Sequence, residues 1–172
     1  KRQAEVGSIW PIRAMAEMAK HHGALFHTDA AQAFAKLDLT ASGADMVSLS
    51  AHKIGGPKGI GALMLRPGTP LAPLLDGGGQ EGGIRSGTQS PALAAGFGAA
   101  ARAADPATTH AHAELMTRLA LEALSAVPHI INGPAPLGPG RWPGNLSVTL
   151  PGVDANRLIA ALPGLALASG SA

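Results

Sequence analysis

The chain has 172 residues, 46% hydrophobic and 14% charged, a composition typical of a folded, well-packed chain and not of a disordered one. Lys and Arg number 13 against 11 Asp and Glu, and no basic run exists, so the net charge of +2 offers no footprint for nucleic acid. The absence of cysteine excludes disulfides, thiolate metal sites and a cysteine nucleophile within these residues. We expect neither a membrane span nor a signal peptide, and therefore a cytoplasmic protein.

Helical spacing and short apolar runs alternate along the first 65 residues. Pro11 and the apolar repeat after it predict a helix as far as Lys20, with Gly23 as a stop signal. Strands are predicted at 24–29, 46–50 and 60–65, a helix or turn at 30–35, and a glycine turn at 55–59. Strands that alternate with helices and turns favour an α/β fold with a mostly parallel sheet.

Residues 77–87, here called the glycine loop, hold six glycines in eleven residues. The polar side chains of Glu81 and Arg85 favour a functional loop over a plain flexible linker. A helix is predicted at 91–104, after which Asp105-Pro106 breaks the chain, so we predict two domains, 1–105 and 106–172. The second is expected to contain helices at 108–126 and 154–162, the latter capped by Asp154, and strands at 130–131, 146–150 and 165–167.

Asp29 ends the predicted strand at 24–29. Open α/β sheets bind their ligands at this end of their strands, and a buried carboxylate there requires a cationic partner to stay ionised. The same residue also suits the N-terminal cap of a following helix. From the residues alone, both interpretations stay open.

Lys53 follows the next predicted strand, in Ser50-Ala51-His52-Lys53. A lysine in a shielded pocket is the residue for Schiff-base chemistry, and Ser50 and His52 are donors suited to a phosphate, although a solvated surface lysine is the alternative. The glycines at 55–61 lack the order of a nucleotide-binding P-loop. Two close histidine pairs have no third ligand at a suitable spacing, so no metal site is expected.

Three motifs lie along the chain in one order: His27-Thr28-Asp29-Ala30-Ala31-Gln32, Ser50-Ala51-His52-Lys53, and Arg85-Ser86-Gly87-Thr88 at the end of the glycine loop. With their flanking residues they resemble the cysteine desulfurases, in the class V aminotransferase group of fold-type I pyridoxal-phosphate (PLP) enzymes. Residues 5–12 resemble an upstream motif of this family. The resemblance implies a PLP-dependent transferase (aspartate-aminotransferase-like) large-domain portion with a mainly parallel sheet at 1–105. It also implies part of a small α+β C-terminal domain at 106–172.

The resemblance also implies a role for six residues. Lys53 would hold PLP as a Schiff base and move protons at the substrate α-carbon. Asp29 would keep the pyridine nitrogen protonated, and Gln32 would donate to the phenolate oxygen. The phosphate would be bound by Ser50, His52 and, from the neighbouring subunit of a homodimer, Thr88.

The implied activity converts L-cysteine to L-alanine. The sulfur would be held as an enzyme persulfide and passed to a sulfur acceptor or iron–sulfur scaffold protein, for iron–sulfur cluster assembly or thiolation. A selenocysteine lyase or class V aminotransferase of the same fold is one alternative. An inactive fragment that serves only as a binding or dimerisation module is another.

The two ends of the chain depart from the family pattern. Ala4 stands where the family usually has Asn, and residues 165–172 resemble the segment that leads to the persulfide-forming Cys of the family. We therefore expect the central fragment of a longer enzyme, without the persulfide Cys and inactive alone.

Overall fold

The computed structural model describes residues 5–169, so Ala4 and residues 170–172 lie outside the described part. The described residues form two compact units, one of Pro11–Pro106 and one of residues 5–10 together with 107–169. We keep the division into a large domain at 1–105 and a small domain at 106–172 as a proposal.

Helix α1 spans Ile12–His21, close to the predicted helix. Pro11 precedes it with φ −76°, near the value that its ring enforces and that a helix start requires. Gly23 follows with φ +67°, a left-handed conformation that glycine adopts without steric cost. The stop signal therefore lies where the sequence predicted it.

The first unit contains a three-stranded sheet in the order β1-β2-β3, where β1 is His27–Asp29, β2 is Met46–Ser50 and β3 is Gly61–Leu65. β1 and β2 run parallel, whereas β2 and β3 run antiparallel. The sheet is therefore mixed and not mostly parallel as expected. The connection from β2 to β3 spans only 51–60 and contains no helix long enough for the crossover that a parallel pair requires.

Before β2, one element is shorter than the sequence suggested and one agrees with it. β1 covers only His27–Asp29 of the strand predicted at 24–29. The helix or turn predicted at 30–35 is a series of turns, in which Phe34 N donates to Ala30 O at 2.8 Å.

The sheet buries one face. Thr28, Val47 and Leu49 are buried on this face, as the alternation of side chains along a strand requires. Phe34 and Phe97 pack against Val47 and Leu49, and their rings meet edge to face with centroids 6.2 Å apart. The opposite face carries the polar side chains of the same strands.

Helix α2 spans Pro91–Ala103, in agreement with the helix predicted at 91–104. Ser90 Oγ accepts a hydrogen bond from Leu93 N at 3.4 Å and so caps the helix. Pro91 occupies the first helical turn, where its missing N–H leaves no helical hydrogen bond unmade.

The chain continues with α3 at Pro106–Leu124, an antiparallel pair of β4 (Ile130–Ile131) and β5 (Val148–Thr149), and α4 at Ala155–Ala161. Asp154 Oδ1 accepts from Arg157 N at 2.8 Å, which confirms the predicted cap. The strand predicted at 165–167 is wrong: in the described part these residues pair with no neighbour, and an unpaired segment cannot satisfy its backbone as a strand does.

Arg141 is a buried side chain that stabilises the second unit by hydrogen bonds to backbone carbonyls. It is only 2% exposed and has no carboxylate partner within residues 5–169. Its guanidinium donates to the carbonyl oxygens of Asn132 at 2.9 Å, Pro134 at 2.6 Å and Asn145 at 3.1 Å. Burial lowers the pKa of Arg141 because desolvation penalises the charged form. One side chain thus ties the backbone at 132–134 to the segment 141–145.

Replacement of Arg141 by Met is expected to lower the free energy of unfolding by about 3–5 kcal/mol, because three partly buried carbonyls lose their donor. Urea unfolding of the protein measures this loss. Arg118→Met is the matched control, since Arg118 pairs with Glu114 on an exposed helix face and is worth about 0.5 kcal/mol or less. Equal losses in the two variants would contradict the role given to Arg141.

Candidate active site

Lys53 lies in a single turn of 3-10 helix, Ala51–Ile54, directly after β2, and this segment is here called the lysine turn. Ala51 is fully buried and anchors the turn, and its carbonyl accepts from Gly56 N at 2.9 Å. Gly55 ends the turn with φ +82°, a conformation that disfavours any side chain. Lys53 itself is half-buried.

Helix α2 packs against the lysine turn through small residues. A Cβ atom at Gly56 would stand 3.2 Å from Ala100 Cβ and 2.9 Å from Ala51 O, and one at Gly96 would stand 3.1 Å from the Pro57 ring. Glycine at both positions therefore permits the close approach of helix and turn. The backbone that carries Lys53 is held from one side by α2 and from the other by β2.

Asp29 and Ser50 project from the face of the sheet opposite the buried one. Asp29 pairs across the parallel ladder with Ser48, and Ser50 lies two residues further along β2 on the same face. From a strand spacing of about 4.8 Å and a rise of about 3.3 Å per residue, the Cα atoms of Asp29 and Ser50 lie about 8 Å apart. The carboxyl ends of the two parallel strands thus place a carboxylate and a hydroxyl close together.

The Asp29 carboxylate is exposed and only partly used. Its Oδ1 accepts from Ala31 N at 2.9 Å, so the aspartate closes a turn after β1. No helix follows in the described chain before β2, so the interpretation of Asp29 as a helix cap is wrong. Its Oδ2 has no partner within the described part of the chain. The second oxygen therefore remains available to a ligand.

Ser50 and His52 form a polar pair beside Lys53. Ser50 Oγ and His52 Nδ1 share a hydrogen bond of 2.9 Å. In residues 5–169 the Lys53 ammonium makes no hydrogen bond or ion pair. These groups fit PLP. The Lys53 amine suits its aldehyde, the Asp29 carboxylate suits its ring nitrogen, and the Ser50–His52 pair suits its phosphate.

The remaining two predicted residues are less closely tied to this group. Gln32 is half-buried in the turns that follow β1. Thr88 is exposed between the glycine loop and α2, and it makes no hydrogen bond to any described residue. The structure therefore brings Asp29, Ser50 and the lysine turn to one edge of the sheet, but it does not join Thr88 to them.

The glycine loop has a defined internal structure. Ser86 is buried, and its Oγ donates to Gly78 O at 2.7 Å. Gln80 Oε1 accepts from Gly87 N at 3.2 Å. These two bonds close the loop on itself. Its predicted function stays a prediction.

His27 and Ser48 belong to the same face as Asp29 and were missed by the sequence analysis. Their side chains share a hydrogen bond of 2.6 Å between His27 Nε2 and Ser48 Oγ. The available signal was the alternation in His27-Thr28-Asp29 and Ser48-Leu49-Ser50, which puts the outer residues of each triplet on one face.

Three other features of the described residues lie outside this group. A cleft lined by Arg13, Lys20 and Arg66, among others, lies beside α1 and contains none of the predicted site residues. No three His, Asp or Glu side chains between residues 5 and 169 are grouped as metal ligands. No described helix is both long and apolar enough to cross a membrane.

The lysine and carboxylate at neighbouring strand ends are typical of α/β enzymes that hold PLP. Comparison with known families agrees with this class. The chain belongs to the aminotransferase class-V family, which matches residues 2–172.

The similar proteins include cysteine desulfurases. The mitochondrial cysteine desulfurase of Saccharomyces cerevisiae is 41% identical, over 98% of this chain and 35% of the yeast protein. A NifS-like protein from Rickettsia africae has a TM-score of 0.80 at 32% identity, over 97% of this chain and 48% of that one. SspA, solved in complex with cysteine, has a TM-score of 0.77 at 33% identity, over 98% of this chain and 47% of its own. The chain spans less than half the length of each of these relatives.

The relatives also correct the predicted location. The similar cysteine desulfurases of Saccharomyces cerevisiae and Candida albicans are mitochondrial, and that of Trachipleistophora hominis is mitosomal. The prediction of a cytoplasmic protein is therefore wrong. It was based on composition and on the first residues, and these do not report the compartment, because separate targeting segments direct import.

Replacement of Gly56 by Ala is expected to lower the free energy of unfolding by about 1–3 kcal/mol, because the new Cβ overlaps the Ala51 carbonyl and crowds α2. Thermal unfolding measures the change. Gly164→Ala is the control, since no atom lies within 4 Å of a Cβ built there. A Gly56→Ala variant as stable as this control would show that α2 does not hold the lysine turn.

Proposed function

We propose that the full-length protein is a PLP-dependent cysteine desulfurase that forms L-alanine from L-cysteine. The observation that carries this proposal is that β1 ends at Asp29 beside the parallel strand β2, which ends at Ser50 and leads directly into the lysine turn. Its support from outside the structure is the 41% identity to a cysteine desulfurase over 98% of the chain.

Lys53 has the central role in this proposal. PLP, when bound, supplies an aldehyde that captures amines and a ring that withdraws electrons from the substrate α-carbon. The Lys53 amine is the group that holds the aldehyde in the absence of substrate. The same nitrogen would take the α-proton of cysteine and return a proton to the product.

The other residues hold and polarise the cofactor. The open oxygen of Asp29 keeps a proton on the ring nitrogen, and this pairing strengthens the ring as an electron acceptor. Ser50 and His52 bind the phosphate, and Gln32 donates to the ring oxygen. Thr88, exposed in this chain, binds the phosphate of a neighbouring subunit in a homodimer.

The capture of sulfur requires a thiol that is not among these 172 residues. We therefore assign the activation of cysteine to this chain and leave the sulfur-accepting thiol outside it. A separate sulfur acceptor or an iron–sulfur scaffold protein is the proposed partner.

Replacement of Lys53 by Ala, in the protein expressed from its complete gene, is expected to abolish the visible absorption of lysine-bound PLP. Alanine formation from cysteine is expected to fall by about 10³-fold, because the covalent anchor and the proton carrier are both lost. Lys20→Ala, on the exposed surface of α1, is the control and keeps both signals. An unchanged absorption band in Lys53→Ala would refute the assignment, because another amine would then hold PLP. Failure of the natural protein to bind PLP would favour a binding or dimerisation module.

Replacement of Asp29 by Asn is expected to leave PLP bound through Lys53 but to reduce alanine formation by about 10²-fold, since the ring nitrogen loses its counter-charge. Absorption spectra and steady-state rates separate the two effects. Asp38→Asn is the matched control. Hydrogen bonds from the Thr40 side chain and backbone lower the pKa of Asp38, an exposed carboxylate outside the candidate site. Equal rates for the two variants would count against the role of Asp29.

A further inference from the structure

The hydrogen bond between His27 and Ser48 is the shortest polar side-chain contact on the open face of the sheet, at 2.6 Å. It joins the two strands that carry the candidate site. His27 is exposed and Ser48 half-buried, so the bond is not required to satisfy a buried group. Neither residue has a role in the function proposed above.

Ser48 lies directly beside Asp29 in the sheet. It pairs directly across the ladder with Asp29, so the Cβ atoms of the two residues are expected to lie about 5 Å apart. Asp29 Oδ1 is engaged by Ala31 N, and Oδ2 has no partner within residues 5–169. A serine hydroxyl at this distance reaches a neighbouring carboxylate by a rotation about χ1. The structure shows it turned to His27 instead.

We propose that His27 is a positioning residue that draws the Ser48 hydroxyl away from Asp29. The proposal requires the histidine tautomer in which the Ser48 O–H donates to His27 Nε2, so that the open carboxylate oxygen of Asp29 is left to the ring nitrogen of PLP. This inference rests on the proposed function for the identity of the ligand. It adds that His27, which would not contact PLP, keeps the Ser48 hydroxyl from competing with the PLP ring nitrogen for the Asp29 carboxylate.

Competition from the Ser48 hydroxyl for the Asp29 carboxylate would have a measurable consequence. Without His27, the Ser48 hydroxyl has no acceptor on its own side and turns to Asp29, where it occupies the oxygen that the ring requires. A hydrogen bond to a charged group is strong enough to change the affinity for PLP by about tenfold. Removal of Ser48 as well removes the competitor, and the affinity is expected to return.

The test measures PLP binding, by fluorescence and visible absorption, to the protein expressed from its complete gene. His27→Ala is expected to weaken binding about tenfold, and the double variant His27→Ala/Ser48→Ala to return within about threefold of the natural protein. Ser48→Ala alone and His27→Gln, which keeps an acceptor near Nε2, are expected to bind normally. His129→Ala is the control, because among residues 5–169 the His129 side chain bonds only to the Val127 carbonyl.

Normal binding by His27→Ala would overturn the inference. A double variant as weak as His27→Ala would also overturn it, since the histidine would then act by itself or through the stability of the strand. Cysteine turnover is measured in parallel. If the natural protein binds PLP and forms no alanine, the proposed function fails while the rescue by Ser48→Ala still decides the role of His27. If the natural protein does not bind PLP, both are wrong.

Discussion

The parallel pairing of β1 with β2 is the constraint on which the candidate site depends. Because the strands run in the same direction, Asp29 at the end of β1 and Ser50 at the end of β2 arrive at one edge, and the lysine turn begins there. A shift of β2 by one residue in this register would carry Ser50 to the opposite face and separate it from Asp29. The buried Val47 and Leu49 oppose such a shift, since they would then face outward. Burial of apolar side chains on one face therefore determines which polar side chains lie together on the other.

Much of the local structure could be predicted from the sequence, because it is decided by neighbours along the chain. The boundaries of α1 and α2 follow from Pro11, Gly23 and Pro91, and the cap at Asp154 follows from its position before α4. The direction of β3 could not be predicted in this way. It depends on the length and path of the connection at 51–60, and the apolar run of the strand looks the same in either direction.

The candidate site was predictable to the extent that its residues stand at strand ends. Asp29, Ser50 and Lys53 share that feature, and the structure shows them at one edge. The hydrogen bond between His27 and Ser48 was not predictable, because it depends on the register of strands that are distant in the sequence. The sequence left a helix cap and ligand binding as alternatives for Asp29. In the structure one carboxylate oxygen closes a turn with Ala31 N, and the other has no partner among the described residues.

The central claim is that one amine, that of Lys53, carries PLP beside the Asp29 carboxylate. Borohydride reduction of the protein with PLP, followed by peptide mapping in a mass spectrometer, tests it most directly, because the reduced cofactor stays on the nitrogen that held it. We expect the mass of the reduced cofactor on the peptide that contains Lys53. A label on Lys20, Lys36 or Lys58 in its place, or no label after complete reduction, would contradict the account.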